Sequence, residues 1–336
     1  MKIYPITQQI NSYKRQKYSS KNNNQNDTDS IKNISYFPVS YNYISFGKSL
    51  NYKDFLISMR KVYKNKSLKN VILSTINNEK NYIGSGFSAN AYDIPGIPEY
   101  IIRIERNKFT PQNFIHSAIK EEKQNELAPN FGQYIATNGQ GFYINKKVIG
   151  ESHSLPDWSN TIQKIQAGEG IKHRDAKLFL NKLENLSEFP QTSFDEIAKN
   201  INLLNKYTKS EIDIINPNNL IIDNKTKHIG IIDLWYRHID NGSHEPYNGT
   251  DTLINLMLDP FIHKKVYNKL SNSDKDKFIE YSTKIIDKVL EAGKNNGLSR
   301  TKNNAMQIYK DFDNTRSKPF AVPAYNDFLE MYSDIL

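Results

Sequence analysis

The chain has 336 residues, with 45 Lys and Arg against 36 Asp and Glu, for a formal charge of +9. It has no cysteine, which excludes disulfides and thiolate chemistry, and its seven histidines show no H-E-x-x-H or paired spacing, which argues against a zinc site. No apolar run is long enough for a transmembrane segment, no Arg-led secretory leader is present, and the lysines are spread rather than clustered, which argues against specific nucleic-acid recognition.

The length allows one two-lobed domain with extensions, or two small domains, and 21 Tyr and 16 Phe are enough for a real core. Residues 1–45 are rich in Asn, Ser, Gln and Lys, as in Ser19-Ser20-Lys21-Asn22-Asn23-Asn24-Gln25-Asn26-Asp27. Such a composition cannot bury enough surface to offset its ordering entropy, so a disordered tail is expected. Phe55, Leu56, Met59, Val62 and Tyr63 then predict a helix, and Val71, Ile72 and Ile76 a strand.

A glycine-rich stretch follows, Tyr82-Ile83-Gly84-Ser85-Gly86-Phe87-Ser88-Ala89. Gly84 and Gly86 let backbone approach phosphates closely, and Phe87 can cap the loop. The third glycine of G-x-G-x-x-G is Ala89 here, and Gly-Ser-Gly is also ordinary turn chemistry. After the turn Pro95-Gly96-Ile97-Pro98, the segment Tyr100-Ile101-Ile102-Arg103-Ile104 alternates as a strand with one cation among apolar neighbours. Phe114 to Leu127 is an amphipathic helical pattern carrying Glu121, Glu122 and Glu126, and Gly141 to Gly150 reads as a strand entering a linker.

His173-Arg174-Asp175-Ala176-Lys177 spells a familiar kinase string, yet Lys177 to Leu183 continues at helical spacing and no buried strand follows. The match is read as accidental, with Asp195 opening a second helical run, Phe194 to Tyr207. The chemistry is sought instead in Ile212-Asp213-Ile214-Ile215-Asn216-Pro217-Asn218-Asn219. Leu220 to Ile222 and Ile229 to Ile232 then flank the polar turn Asp223 to Lys227, a hairpin from which Asp233 emerges. Thr250 to Leu258 predicts an apolar helix, the run from Phe278 to Leu290 another, and Tyr325 to Leu336 a last one.

Taken together, a glycine loop, a cationic strand, an acidic helix, an Asp- and Asn-bearing loop and a hairpin ending in Asp resemble the protein kinase-like fold over roughly residues 80 to 260. Within it the chain looks closest to the divergent kinases that Gram-negative bacteria inject into host cells. The resemblance implies an α+β, bilobed architecture. Residues 1–45 would be a disordered tail, 46–148 a β-rich N-lobe with its N-terminal extension, and 149–336 a helical C-lobe. It implies ATP and Mg2+ as cofactors, with Gly84, Ser85, Gly86 and Phe87 over the phosphates. Arg103 stands where a lysine normally pairs the phosphates, and Glu122, or else Glu121, would pair with that cation. Residues 141–150 resemble the hinge that bonds adenine.

Asp213 would be the catalytic base and Asp233 a metal ligand, with Asn218 or Asn219 as the amide ligand. Counting back from Asn218 puts Asp213 at the family spacing, whereas counting from Pro217 selects Asn219. One residue is about 3.5 Å of chain, more than the roughly 3 Å reach of a productive hydrogen bond, so the register matters. Leu234-Trp235 replaces the usual Phe-Gly, and the stretch to Asp251 lacks an Ala-Pro-Glu anchor, implying constitutive activity. Asp251 resembles the residue that braces the catalytic loop. The implied reaction is phosphoryl transfer to Ser/Thr of a host protein by an effector secreted through a type III-like route, with residues 1–45 as signal and a secretion chaperone as a further partner. Two alternatives stand beside it: a pseudokinase acting by protein binding, and a small-molecule kinase of the choline or aminoglycoside type.

Overall fold

Tyr52, Phe55 and Met59 fall on one face of the first helix, and that face seeds the first of two hydrophobic cores. A computed structural model describes residues 50–85, 89–105, 125–137, 142–208, 210–211, 217–232, 237–238, 249–298 and 321–336. The disordered tail expected over residues 1–45 therefore lies outside the described residues. The chain divides into two compact units, one of residues up to 123 with 133–147, the other of 124–132 with 148–336.

In the first unit, α1 (Leu50–Tyr63) and α2 (Leu68–Ile76) precede β1 (Tyr82–Ser85), β2 (Ala89–Asp93), β3 (Tyr100–Glu105), β4 (Gln133–Thr137) and β5 (Phe142–Lys146). The strands form one antiparallel sheet in the order β1-β2-β3-β5-β4. Tyr100 and Ile102 on β3, Ile135 and Ile144 join Phe55, Met59 and Val71 in a core, with the Phe55 and Tyr100 rings edge to face at 5.1 Å. The strand expected at Val71 to Ile76 is a helix instead. Ser67 caps it by accepting from the Asn70 N–H, and Val71 and Thr75, four residues apart, are its buried pair. A short apolar run fits either period, and the cap decided this one.

In the second unit, β6 (Glu151–Ser152), α3 (Trp158–Gln166), α4 (His173–Ser187), α5 (Gln191–Thr208), β7 (Ser210–Glu211), β8 (Leu220–Asp223), β9 (His228–Ile231) and β10 (Arg237–His238) are followed by four helices: α6 (Gly249–Leu258), α7 (His263–Lys269), α8 (Asn272–Asn295) and α9 (Ala321–Met331). Helix α8 packs against α4, α5 and α6, burying Phe278, Ile285, Ile286 and Val289. Two boundaries differ from the sequence reading. Helix α5 starts at Gln191, so Asp195 is its fifth residue and not its opening carboxylate, and the last helix spans Ala321–Met331 rather than Tyr325 to Leu336. Of the expected acidic helix, Asn125 to Leu127 are helical and the residues before them lie outside the described ones. The α+β division holds: an antiparallel sheet unit is followed along the chain by a helical one.

Gly293 shows what the helical packing requires. A glycine inside a helix costs about 1 kcal/mol relative to alanine, so it needs a packing reason. A methyl group there would overlap the Thr250 side chain on α6. Gly293→Ala is therefore expected to destabilise the protein by about 1–3 kcal/mol despite its better helix propensity, read as a lower urea midpoint at unchanged slope.

Candidate functional site

In the first unit, strand register aligns a row of candidate residues. Gly84 pairs with Ala91, Ala91 with Arg103 and Arg103 with Tyr143. Residues directly opposed across a sheet project from one face, so Gly84, Ala91 and Arg103 share a face opposite to Tyr100 and Ile102, which enter the core. Two strand spacings separate Gly84 from Arg103, about 10 Å. An added Cβ at Gly84 would meet nothing within 4 Å, and Ala91 is small, so the row carries little bulk at its first two positions. The register of β1 shifts between Tyr82 and Gly84, a local irregularity of the kind a β-bulge makes. Ser85 closes β1, while Gly86 and Phe87 lie outside the described residues. Ala89, in the third glycine position, is a buried residue of β2 paired with Glu105. Glu121 and Glu122 lie outside the described residues.

In the second unit, the candidate residues lie around the turn Pro217–Asn219 and the hairpin that follows it. Leu220, Ile221, Ile222, Ile229 and Ile231 are all buried, and the Asp223 carboxylate closes the hairpin turn by accepting from the Lys225 N–H at 2.9 Å and the Thr226 hydroxyl at 2.6 Å. Those bonds hold the Asp223 carboxyl below the usual carboxylate range, the Thr226 hydroxyl contributing most. The Ile232 N–H donates to the Asn219 carbonyl at 2.8 Å, tying the end of the hairpin to the Asn turn. A Cβ on Gly230 would come within 2.9 Å of the Asn130 carbonyl oxygen, so only glycine fits there. Beyond it, β7 and β10 pair Glu211 with Arg237. Asp213 and Asp233 lie outside the described residues, but the chain flanking both is held together at two places.

Asn219 is buried, whereas Asn218 is partly exposed. The Asn218 amide oxygen accepts from the Ser154 hydroxyl, and its carbonyl accepts from the Ser152 hydroxyl at 3.3 Å. The two serine hydroxyls are 3.2 Å apart, and the Lys182 ammonium donates to the Ser152 carbonyl. Burial pushes the Lys182 pKa down, with Glu151 opposing. The sequence reading missed Ser152, Ser154 and Lys182, because contacts across 64 residues leave no periodic signal. Donors on the turn are oxygens, which suits magnesium rather than a soft metal. Among the described residues no group of three or more His, Cys, Asp or Glu could hold a metal, so an ion here would draw a carboxylate from elsewhere.

The His-Arg-Asp string opens α4, as its helical spacing predicts. Asp175 lies in the first turn, Arg174 is 88% exposed, and Lys177 pairs with Asp274 at 2.8 Å. Asp251 is buried on α6, which no described helix of membrane-spanning length and apolarity accompanies.

No protein-family model matches the chain, and no curated protein matches it. Among solved structures, the Legionella pneumophila kinase Lpg2603 bound to IP6 aligns over 70% of this chain and 81% of its own, at 14% identity and a TM-score of 0.31. The pseudokinase domain of BIR2, an immune regulator of the RLK/Pelle family, aligns over 81% of this chain and 89% of its own, also at 14% identity and 0.31. At that score neither likeness carries an argument. What the described elements show by themselves is a five-stranded antiparallel sheet in the first unit and, in the second, a helical body with a buried hairpin.

Three buried groups at the C-terminal end of α6 set an acid response. The His153 ring bonds the Met257 carbonyl at 2.7 Å, and the His263 ring bonds the Leu258 carbonyl at 2.8 Å. Burial pushes His153 down to about 4 and His263 down to about 3 from an ordinary 6.5. The unfolded chain takes up both protons below about pH 6.5 while the folded chain does not, so these groups make stability rise with pH through that window. Asp259, bonded by the Trp158 indole N–H at 2.6 Å, is pushed up by burial from 3.8 to about 7. It works oppositely, because the folded chain keeps a proton that the unfolded chain releases. With two groups against one, the urea midpoint is expected to be higher at about pH 6.5 than at about pH 4.5. Asp259→Asn should steepen that difference by removing the opposing group.

Proposed function

We propose that this protein is an ATP- and magnesium-dependent phosphotransferase that acts on Ser/Thr of a protein. The observation that carries the reading is the sheet row in which Gly84, Ala91 and Arg103 share one face. A backbone able to approach phosphates closely, beside a cation on a rigid strand, is what binding a nucleotide triphosphate requires. Gly84, Ser85, Gly86 and Phe87 would cover the phosphates, Arg103 would pair them, and Glu122 would orient Arg103. Arg103 is a planar fork where lysine is a compact point charge, so the phosphates would sit differently from those of a lysine-bearing kinase.

Asn218 or Asn219 and Asp233 would hold magnesium, which when bound neutralises the charge developing on the β- and γ-phosphates. Asp213 would accept the proton of the substrate hydroxyl as its oxygen attacks the γ-phosphorus, and the leaving group would be ADP. The hairpin supports this assignment, because the bond from Ile232 to Asn219 brings the chain entering Asp233 to the Asn turn. A protein substrate in a host cell, delivery by a type III-like route with residues 1–45 as signal, and a secretion chaperone complete the proposal. These rest on the resemblance set out from the sequence.

One observation favours a second reading. Ala89 is packed into β2, so the loop lacks the freedom of a third glycine, and a nucleotide-binding scaffold that works by protein contact would tolerate that.

Labelled ATP with purified protein separates the two, since the first transfers phosphate to itself or to a test protein and the second only binds. Asp233→Asn is expected to abolish transfer and weaken magnesium-dependent nucleotide binding. Asp213→Asn should leave binding intact and slow transfer by about 10²-fold or more. Arg103→Ala should fall between, and Asp175→Asn should change little. Loss of activity in Asp175→Asn with a silent Asp213→Asn would show the wrong loop to have been chosen.

A further inference from the structure

The positive charge of the chain is concentrated at one end. Residues 1–81 hold 14 Lys and Arg against 4 Asp and Glu, whereas residues 82–336 hold 31 against 32, so the first stretch carries the entire surplus. Lysine itself is spread along the sequence; what the first stretch lacks is the balancing acid. Residues 50–81, which comprise α1, α2 and the chain leading to β1, carry seven of those cations and only Asp54 and Glu79 as acids. Residues 1–49 enter α1 with a surplus of the same sign.

Helix α1 sorts its side chains by the helical period. Tyr52, Phe55 and Met59 enter the core, while Lys53, Ile57, Arg60 and Lys61 are exposed on the opposite side. Ile57, 55% exposed, has Lys53 one turn before it and Arg60 and Lys61 one turn after it. Lys64 extends the row. Its N–H still bonds the Arg60 carbonyl at 2.9 Å, although its own backbone is left-handed, with φ 46°. The corner that follows is held firmly, because the Tyr63 hydroxyl donates to the Pro95 carbonyl at 2.7 Å and Ser67 caps α2. Among the described residues no acid pairs with Lys53, Arg60, Lys61 or Lys64.

The shape of this face selects its partner. A small anion needs donors that converge on one point, and these cations fan out around a convex helix, about 12 Å from Lys53 to Lys61. An extended array of negative charge suits them better. A nucleic-acid duplex offers the charge but no apolar layer for the isoleucine at the centre. An anionic bilayer offers both: headgroups for the ammonium and guanidinium groups, and an acyl boundary for Ile57 and the aliphatic stems around it. No described helix is long and apolar enough to cross a membrane, so such a contact is peripheral.

We propose that the outer face of α1, with Lys53, Arg60, Lys61 and Lys64 arranged around Ile57, is a docking surface for an anionic lipid membrane. The proposal is independent of the phosphotransferase reading. Each Lys or Arg near an anionic membrane surface contributes about 5-fold in affinity, and the contribution fades with salt as the Debye length shortens.

The test is co-sedimentation of the full chain with vesicles of phosphatidylcholine and phosphatidylserine in a two-to-one ratio, against vesicles of phosphatidylcholine alone, over a series of salt concentrations. The unaltered protein is expected to bind the first and not the second, and more weakly as salt rises. Neutralising the face with Lys53→Gln, Arg60→Gln, Lys61→Gln and Lys64→Gln together should weaken binding by about 100-fold or more. Ile57→Ser should weaken it by about 3-fold or more at every salt concentration, because an apolar contact is not screened. A control removes the same charge from exposed sites of the second unit, with Lys172→Gln, Lys199→Gln, Lys225→Gln and Lys265→Gln, and should retain most of the binding. Thermal melts check that each variant folds. If the fourfold variant does not, the pairs Lys53→Gln with Arg60→Gln and Lys61→Gln with Lys64→Gln divide the effect, at about 20-fold each. Equal losses in the face variant and the control would show net charge at work rather than this face, and overturn the proposal. So would a face variant that binds as the unaltered protein does, or an unaltered protein that ignores anionic vesicles at low salt. Polyglutamate, standing for an acidic protein, and a DNA duplex serve as competitors. If either binds as tightly as the vesicles and Ile57→Ser is silent, the face reads charge alone and the assignment to lipid fails.

Discussion

The second unit is organised around one short hairpin. Leu220, Ile222, Ile229 and Ile231 place four large aliphatic side chains from one face of the hairpin in the core, among residues of α5, α6 and their neighbours. Burial at roughly 25 cal/mol per Å2 makes these side chains the reason the hairpin cannot slide, since a slip of one residue would turn the whole set outward. Its position then fixes three other things. The Asn turn is bonded to its end, β6 pairs along its edge, and the chain leading to Asp233 departs from it. Gly230 is the steric condition, because a side chain there would collide with the Asn130 carbonyl.

Around that hairpin the polar groups follow from the expense of burial. A buried donor or acceptor without a partner costs about 1–3 kcal/mol, so polar residues carried inside must find one another. The end of α6 shows this most clearly. Its last carbonyls take bonds from two imidazoles, His153 from the segment after β6, about a hundred residues away, and His263 from the start of the next helix, α7, and the latter ring also contacts the Tyr332 hydroxyl at 2.7 Å. Packing of this kind holds α6 in place, and α6 carries Asp251. It also explains why Lys288 lies along α8 with its ammonium on the Ser187 and Phe189 carbonyls at the end of α4, at 2.7 and 2.5 Å.

The first unit uses a different device. Its sheet is two-sided, with one face filled by α1 and α2 and the other bearing Arg103. The alternation of Tyr100, Ile102 and Ile104 with Ile101 and Arg103 assigns those faces, and the helices make the assignment irreversible by covering the apolar one. The ion pair of Lys147 with Asp93, at 2.7 Å but about a third to a half exposed, adds little to this.

Periodic features were legible in the sequence because they are local. The alternation around Arg103, the hairpin with its Asp223 turn, the helical spacing that places the His-Arg-Asp string on α4, and the long helix through Phe278 to Leu290 each follow from residues a few positions apart. The run at Val71 to Ile76 was misread because a handful of apolar residues fits both periods, and the Ser67 cap with the packing of Val71 resolved it. What only the tertiary structure decided is register and long-range contact. The sharing of one row by Gly84 and Arg103 depends on which residues three separate strands choose to pair. The grip of Ser154 on Asn218, and of Lys182 on β6, joins residues tens of positions apart, held by neither periodicity nor propensity. Side chains so distant in the chain meet only because burying the apolar faces brings their strands and helices together.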